Sequence, residues 1–219
     1  MRWTIFLLLQ FYLIVNAEPL LYSWFMQGSS TYAELFESSS DEDNHNEVHT
    51  WEHGQGEQLL PTYSGVNEVS HSEDWIYIRT TGLGHHIMGP WYLDAGDTRP
   101  FPNFPANVAA IYRFPRIPTS PSLTYNITSG GAIGYFVDGV AMFDSRDAFS
   151  YINNLGVDGT PRDNTRGDGI WNRDAYVNES VTFDSANAHQ AADTYHYHAN
   201  PPALRYILGG HVDYDSDLN

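Results

Sequence analysis

Residues 195–198 read Tyr195-His196-Tyr197-His198, and this tetrapeptide decides how the last part of the domain is built. In an extended strand, successive side chains point to opposite faces. His196 and His198 therefore share one face, and the two tyrosines share the other. Tyrosines are good strand formers with large apolar bodies, so we expect Tyr195 and Tyr197 to anchor the strand against a core. The histidine face then stays available for a ligand.

Two imidazoles one strand repeat apart can reach a single metal ion, and a usable site needs a third ligand. His189 lies before the tetrapeptide and His211 follows a Gly-Gly pair, so either can complete the site. His85 and His86, in a glycine-rich loop, are further candidates. A histidine-rich site without thiolates suits zinc or copper best.

Acidic and aromatic neighbours are candidates for the groups that hydrogen-bond and orient the histidines. We include Asp184, Asp193, Tyr195 and Tyr197 in this set. Calcium is a less suitable ion. The acidic tail, residues 213–219, offers oxygen donors at every second position but lacks the glycine and the glutamate of a helical calcium loop.

The first 17 residues have the features of a secretory signal peptide. Arg2 precedes an apolar stretch, residues 5–15, that only Gln10 interrupts. Small residues up to Ala17 then suit cleavage after that position. No later segment is long and apolar enough to cross a bilayer, so we expect a secreted, extracellular protein with no membrane span.

Composition narrows the classes of partner. The 219-residue chain has no cysteine and a formal net charge of −17. Stability must therefore come from burial and hydrogen bonding, with a bound ion as one further source, rather than from disulfides. Strong negative charge disfavours nucleic acid and anionic membranes, and it favours cations or an unidentified basic extracellular partner. In a secreted chain, the sequons at Asn126 and Asn178 are candidate glycosylation sites.

The chain divides into three segments. Residues 1–17 form the signal peptide, and residues 18–60 form an acidic, low-complexity arm that we expect to be largely disordered because it cannot bury enough apolar surface. Residues 61–219 are expected to form a mainly β domain, a single sandwich- or barrel-like unit of short strands with long loops. Six runs rich in β-branched and aromatic residues are the predicted strands: 74–80, 107–114, 123–128, 132–143, 180–183 and 193–198.

Two local patterns predict other elements. Residues 145–153 are the one helical candidate, with Asp144 or Ser145 able to cap its first turn. Asp138-Gly139, between two apolar runs, predicts a hairpin with a type I′ turn. This makes Asp138 a turn former rather than a catalytic carboxylate.

Several separate motifs occur in an order that resembles the YHYH-domain family, a set of secreted proteins named for the tetrapeptide. They extend from about Ile76 to the end of the chain: residues 77–83, 89–91, 133–143, 169–175, 183–184, 189, 195–198 and 200–202. The resemblance implies a secreted β-rich domain with a histidine-centred site and no assigned reaction.

The chain departs from the family pattern in three places. Asn172 stands where family members often have a histidine, which implies that a ligand is missing there. Ala186 and Ala203 stand where some members have cysteines. The family pattern also continues into a further apolar segment containing Asp-Gly-Phe-Pro, whereas this chain ends at Asn219, and this implies a C-terminally truncated domain.

The sequence thus predicts a secreted glycoprotein whose YHYH-type domain binds a transition-metal ion through a histidine cluster, with the reaction unassigned. The alternative is an extracellular matrix, adhesion or interaction module with no catalytic activity, for which Arg166-Gly167-Asp168 is the specific feature. Nucleophilic catalysis is disfavoured, since there is no cysteine and no Gly-x-Ser-x-Gly elbow.

Overall fold

The structure is a computed structural model that describes residues 24, 32–44, 49–50, 62–117, 128 and 130–204. Within these residues the protein is mainly β, as the sequence predicts, and the strands form several small sheets that close no barrel. The strands are β1 (Glu34–Leu35), β2 (His49–Thr50), β3 (Val66–His71), β4 (Trp75–Thr80), β5 (Ile87–Met88), β6 (Ala110–Pro115), β7 (Ala132–Tyr135), β8 (Ala141–Phe143), β9 (Arg146–Ile152), β10 (Val157–Asp158), β11 (Asn172–Asp174), β12 (Ala188–Ala191) and β13 (Thr194–Tyr197). The helices are α1 (Ser39–Asn44) and α2 (Ala175–Glu179), and two 3-10 turns span Pro161–Asp163 and Ser180–Thr182.

Four small sheets organise these strands. Their strand orders are β12-β13-β8-β7, β3-β4-β6, β10-β9-β11 and β2-β1-β5. In the first sheet β13, which carries the tetrapeptide, is an inner strand that pairs antiparallel with β12 and parallel with β8. Its backbone is therefore held on both sides, which fixes the direction of every side chain that it carries.

The tyrosine face of β13 lies in the main core. Tyr195 and Tyr197 are fully buried, and Trp91 packs edge-on against Tyr195. Burying one such ring removes on the order of 200 Å² from water, which is worth several kcal/mol before entropy is counted. Each hydroxyl also donates a hydrogen bond to a buried carboxylate, Tyr195 to Asp184 at 2.7 Å and Tyr197 to Asp138 at 2.9 Å. The expectation that the tyrosines anchor the strand is confirmed.

The predicted strands agree in part with the observed ones. The predicted runs 74–80, 132–143 and 193–198 contain β4, the β7–β8 hairpin and β13, and the run 107–114 overlaps β6. In β4 the alternation is plain, since Ile76 and Ile78 are buried and Arg79 is exposed. Residues 180–183 form a 3-10 turn instead of a strand, and the 123–128 prediction lies almost wholly outside the described residues.

The helix predicted over residues 145–153 is wrong, because this segment forms strand β9. The local capping signal is real: an oxygen of the Asp144 side chain accepts from the Arg146 backbone N–H at 2.9 Å. However, β9 pairs with β10 and β11, and these long-range backbone hydrogen bonds override the local preference.

The predicted hairpin at Asp138-Gly139 is present, but its turn is not type I′. Gly139 has a φ of 77°, whereas Asp138 has a negative φ. The N–H of Gly139 bonds the carbonyl of Phe136 at 2.9 Å, and the N–H of Phe136 bonds the carbonyl of Val140 at 3.0 Å. This is the three-residue loop that combines a type I turn with a glycine bulge. A Cβ on Gly139 would also lie 2.3 Å from the Thr80 hydroxyl. Glycine is therefore required both by the positive φ and by the close approach of Thr80.

Part of the predicted disordered arm belongs to the fold. Ala33 and Leu35 are fully buried in the main core, and β1 pairs in parallel with β5. The acidic average composition of residues 18–60 conceals these two apolar residues, which stand at alternate positions and so face the same way. The predicted signal peptide and the C-terminal residues 205–219 lie outside the described residues. Among the described helices, none has the length and apolar character needed to span a bilayer.

We expect Asp138 to make the free energy of unfolding depend on pH. Burial raises its pKa from 3.8 to about 6, so the folded state binds a proton more tightly than the unfolded chain does. The stability that this proton confers is complete below about pH 4 and is lost as the pH rises to about 6, by on the order of 3 kcal/mol at most. The Asp138→Asn variant has no carboxyl group at this position, so its free energy of unfolding should not show this decrease.

The measurement is urea unfolding of both proteins between pH 4 and pH 7, with a chelator present. Asp184, whose pKa burial also raises to about 6, is present in both proteins, so its effect cancels from the difference. A stability difference between the two proteins that stays constant across this range would contradict the prediction.

Candidate metal centre

The hairpin of β12 and β13 brings the first two histidines together. In its antiparallel register, His189 stands directly opposite His196. Directly paired residues have Cβ atoms about 4.5–5.5 Å apart, so their rings meet on the same face. His198 follows two residues after His196 and shares that face. Both His189 and His196 are buried, and the side chain of His198 is only 4% exposed.

The ring nitrogens of the three histidines converge on one point. One nitrogen from each lies within 4.8 Å of the others, and Nε2 of His196 is 3.0 Å from Nε2 of His198. Three imidazoles that meet in this way form the type of ligand set that zinc and copper sites use. Elsewhere in the described residues, no separate group of three histidine or acidic side chains is so arranged.

Aromatic side chains hold the three rings in place. Phe143 of β8 stacks on His196 with ring centroids 3.7 Å apart. Phe183 stacks on His198 at 5.5 Å and meets His189 edge-on at 5.0 Å. Rings packed on two sides cannot rotate freely, so the nitrogens remain directed at one another.

Hydrogen bonds on the far side of two rings indicate which nitrogen carries the proton. The Thr182 hydroxyl donates to the carbonyl of Glu179 at 2.7 Å, so it can only accept from Nδ1 of His189, also at 2.7 Å. Nδ1 of His196 faces the Thr194 carbonyl at 3.0 Å and must likewise donate. We infer that both rings carry the proton on Nδ1, which leaves a lone pair on each Nε2 for a ligand.

Burial keeps these rings neutral. Desolvation, together with the neighbouring His198, lowers the pKa of His189 to about 3. Desolvation and then His189 lower the pKa of His196 well below its ordinary value. The pKa of His198 is lowered too, chiefly by burial, although the backbone of Asp144 opposes the shift. Neutral imidazole is the form that binds a metal ion.

A carboxyl group that the sequence pattern does not predict as a ligand lies beside the cluster. Oε2 of Glu179, at the end of α2, is 3.4 Å from Nε2 of His189 and 3.3 Å from Nε2 of His198. The sequence carried one signal for this position, the N-cap residue Asp174, whose side chain accepts from Val177 N–H and starts the short helix. That signal locates a helix but does not show which way Glu179 points.

The cluster opens into a cavity of about 500 Å³. Besides the three histidines and Glu179, its lining includes charged and amide side chains and a glycine pair: Arg146, Asp147, Asn172, Gln190, Gly130 and Gly131. Small molecules and solvent can therefore reach the nitrogens from one side. Asn172, which stands where family members often have a histidine, lines this cavity and donates from Nδ2 to the Asp147 carbonyl at 2.9 Å.

The residues predicted to orient the histidines lie elsewhere. Asp184 is on the tyrosine side of β13, where its carboxylate accepts from Tyr195, from Gly89 N–H at 3.0 Å and from Ala186 N–H at 2.9 Å. Tyr195 and Tyr197 point away from the histidines, into the core. Asp193 is exposed in the turn between β12 and β13. Thr182 and the Thr194 carbonyl contact the rings instead.

The other candidate third ligands and the glycosylation sites are placed as follows. His86 Nε2 lies 3.0 Å from the Tyr195 hydroxyl, under the tyrosine face, and His85 Nδ1 lies 3.3 Å from the Ser64 hydroxyl. Neither is part of the three-histidine group. Asn178 is exposed on α2, and its Nδ2 donates to the Asp174 carbonyl. His211 and Asn126 lie outside the described residues.

The fold and the site define a β-rich domain with a buried three-histidine cluster on the inner strand of a small sheet. The family model described as YHYH protein matches residues 111–215, a stretch that contains Glu179 and all three histidines. This match supports the resemblance to the YHYH family that the motifs indicate. No curated protein and no solved structure matches the chain.

We expect His189 and His196 of the metal-free protein at pH 7 to be neutral, with the proton on Nδ1. The cause is the pair of acceptors, the Thr182 hydroxyl and the Thr194 carbonyl, behind buried rings. Long-range ¹H–¹⁵N correlation spectra of the imidazoles measure this directly. In Thr182→Val, His189 loses the acceptor for its Nδ1 proton and should show a mixture of the Nδ1-protonated and Nε2-protonated forms. His196 is the internal control and should stay protonated on Nδ1. A proton on Nε2 of His189 in the unaltered protein would refute the assignment.

Proposed function

We propose that this protein is a secreted glycoprotein whose YHYH domain binds one transition-metal ion through His189, His196 and His198. The observation that carries the proposal is the convergence of three buried, neutral imidazoles whose nitrogens meet beside a cavity. The Nε2 lone pairs of His189 and His196 both face the space that the three rings share, so a cation there meets two donors at once and a third when His198 presents its own lone pair.

The donor chemistry favours zinc or copper. Imidazole nitrogen suits zinc, copper, iron and nickel, whereas calcium requires six to eight oxygen ligands. Hydrogen bonds to Nδ1 of His189 and His196 also match known metal sites, where a ligating histidine donates its second N–H to a fixed acceptor. His189 is supported as the third ligand because the hairpin register brings it to His196.

The occupant of the fourth position decides what such an ion can do. A zinc ion with three protein ligands keeps a position for water or substrate, whereas one with four protein ligands is a closed, structural site. The cavity beside the cluster supplies access to that position.

We expect the purified protein to bind about one zinc or copper ion, and His196→Ala with His198→Ala to abolish this binding. Two of the three donors are then lost, and one imidazole alone binds such ions weakly. Metal content after dialysis, together with calorimetric titration, measures the stoichiometry. His71→Ala, an exposed histidine of β3 remote from the site, is the matched control and should bind normally. Unchanged stoichiometry in the double variant would remove the proposal.

The signal sequence and sequons support the secreted, glycosylated part of the proposal. Expressed in an animal cell line, the protein should appear in the medium with Glu18 as its first residue and with glycan at Asn178 and Asn126. Asn178→Gln and Ser180→Ala both destroy one sequon and should each reduce the mass by the same single glycan. Retention of the protein inside the cell, or an unchanged mass, would contradict this.

An adhesion module, the alternative function, rests on Arg166-Gly167-Asp168. These residues are exposed, but the structure uses the acidic side chain internally. The Asp168 carboxylate accepts from Ile170 N–H at 3.0 Å and from the side chain of Asn153. A carboxylate held in this way is poorly placed to meet a partner's cation, so the metal-binding function is the better supported one.

A further inference from the structure

The carboxyl group of Glu179 lies where a fourth ligand of the ion would stand. Its Oε2 is 3.4 Å from Nε2 of His189 and 3.3 Å from Nε2 of His198, and the two histidines of β13 have their Nε2 atoms 3.0 Å apart. In a tetrahedral zinc site with bonds of about 2.0 Å, neighbouring donors are about 3.3 Å apart. These three separations are close to this spacing, whereas Glu179 lies outside the group of donor atoms that are all within 4.8 Å of one another, so its carboxyl group would move toward His196 on binding the ion.

The nitrogen of His189 that faces Glu179 presents a lone pair. The Nδ1 proton of His189 is committed to Thr182, which leaves Nε2 without a proton. Burial and Asp147 raise the pKa of Glu179, so without an ion the carboxyl group keeps its proton and does not repel this lone pair. A cation that displaced the proton would contact both the carboxylate oxygen and Nε2.

A second carboxylate and an arginine hold Glu179 in place. Asp147 of β9 is wholly buried and hydrogen-bonds the side chain of Glu179. Its Oδ2 accepts from Nε of Arg173 at 2.7 Å and also from Nη2 of the same side chain, and its Oδ1 accepts from Phe149 N–H at 3.1 Å. The proton shared by the two carboxyl groups leaves one negative charge, which Arg173 balances, so a cation bound to Glu179 would take the place of that proton.

We propose that Glu179 is the fourth protein ligand of the ion, so that the site is built from three imidazole nitrogens and one carboxylate oxygen, with Asp147 and Arg173 as positioning residues. This inference rests on the proposed function, since it names the donor that completes the same site. Four protein donors close the coordination sphere of zinc, which makes a zinc ion structural. Copper(II), which prefers tetragonal geometry, would keep positions open toward the cavity.

The test compares the unaltered protein with Glu179→Gln, in which the side chain keeps its size and loses its charge. Zinc affinity is measured by competition with a chromophoric chelator, and the visible absorption spectrum of the cobalt(II) form reports the donor set. We expect at least a tenfold loss of zinc affinity and a shifted cobalt spectrum. Glu68→Gln, an exposed partner of Arg79, is the matched control and should change neither.

A second variant tests whether Asp147 and Arg173 position Glu179. Asp147→Asn alone would leave the guanidinium of Arg173 buried without its partner, so the double variant Asp147→Asn with Arg173→Gln removes both charges together. With circular dichroism showing an intact fold, its cobalt spectrum should shift toward that of Glu179→Gln. A purely structural role would lower stability and leave the spectrum unchanged.

The outcomes separate the two proposals. If the unaltered protein binds no ion, the proposed function itself fails. If it binds zinc and Glu179→Gln binds within twofold of it with an unchanged cobalt spectrum, only the fourth-ligand inference is overturned.

Discussion

The two-residue periodicity of β13 is the constraint on which the rest of the site depends. Because β13 pairs with β12 on one side and β8 on the other, it cannot rotate about its axis. The hydroxyls of Tyr195 and Tyr197 add two hydrogen bonds to buried carboxylates on the core side. Turning either tyrosine out of the core would expose a large ring and leave a buried carboxylate unpaired. His196 and His198 are therefore directed to the opposite face. The packing of the two tyrosines in the core thus fixes the orientation of the histidines.

The electrostatics of the two faces differ in a way that bears on function. On the core side, each buried carboxylate has a tyrosine hydroxyl and backbone N–H groups as partners, so its polar atoms are satisfied. On the histidine side, burial lowers the pKa of the imidazoles, and burial together with Asp147 raises the pKa of Glu179. Both shifts disfavour the charged form of the group. A bound positive ion would reverse the shift of Glu179 and reinforce that of the imidazoles, so it favours the ionised carboxylate and the neutral rings, which are the forms that bind metal. A cluster in which every group is perturbed in this direction is typical of a functional site.

The sequence predicted the part of the site that local geometry controls. Alternation in a strand is enough to separate Tyr195 from His196 and to pair His196 with His198. The choice of third histidine stayed open because it depends on the centre of the β12–β13 hairpin, at residues 192–193. That turn has no Asn-Gly or Asp-Gly signature; it uses an alanine, Ala192, at a φ of 51°. Without a turn signal, the register that places His189 opposite His196 cannot be read from the chain.

Glu179 and Asp147 were missed for a different physical reason. Asp147 lies in β9, a segment whose local capping pattern favours a helix but whose strand pairing is made with residues far along the chain. Glu179 ends a helix of five residues, which is too short to show any periodicity. Their meeting is a long-range contact between elements that local patterns describe poorly. The buried Ala33 and Leu35 were missed similarly, since their partner β5 is about fifty residues away.

An ion at this site would stabilise the fold mainly by electrostatics and less by restricting the unfolded chain. Residues 179–198 span about twenty positions, so cross-linking them removes little chain entropy, and the gain grows only as the logarithm of loop length. The larger effect is local: an ion would bind several buried donor atoms that already lie about 3 Å apart. Because β13 also carries two core tyrosines, an ion that fixes its histidine face steadies the same strand on which the core is packed. In a chain without cysteine, this couples occupancy of the site to the stability of the main sheet.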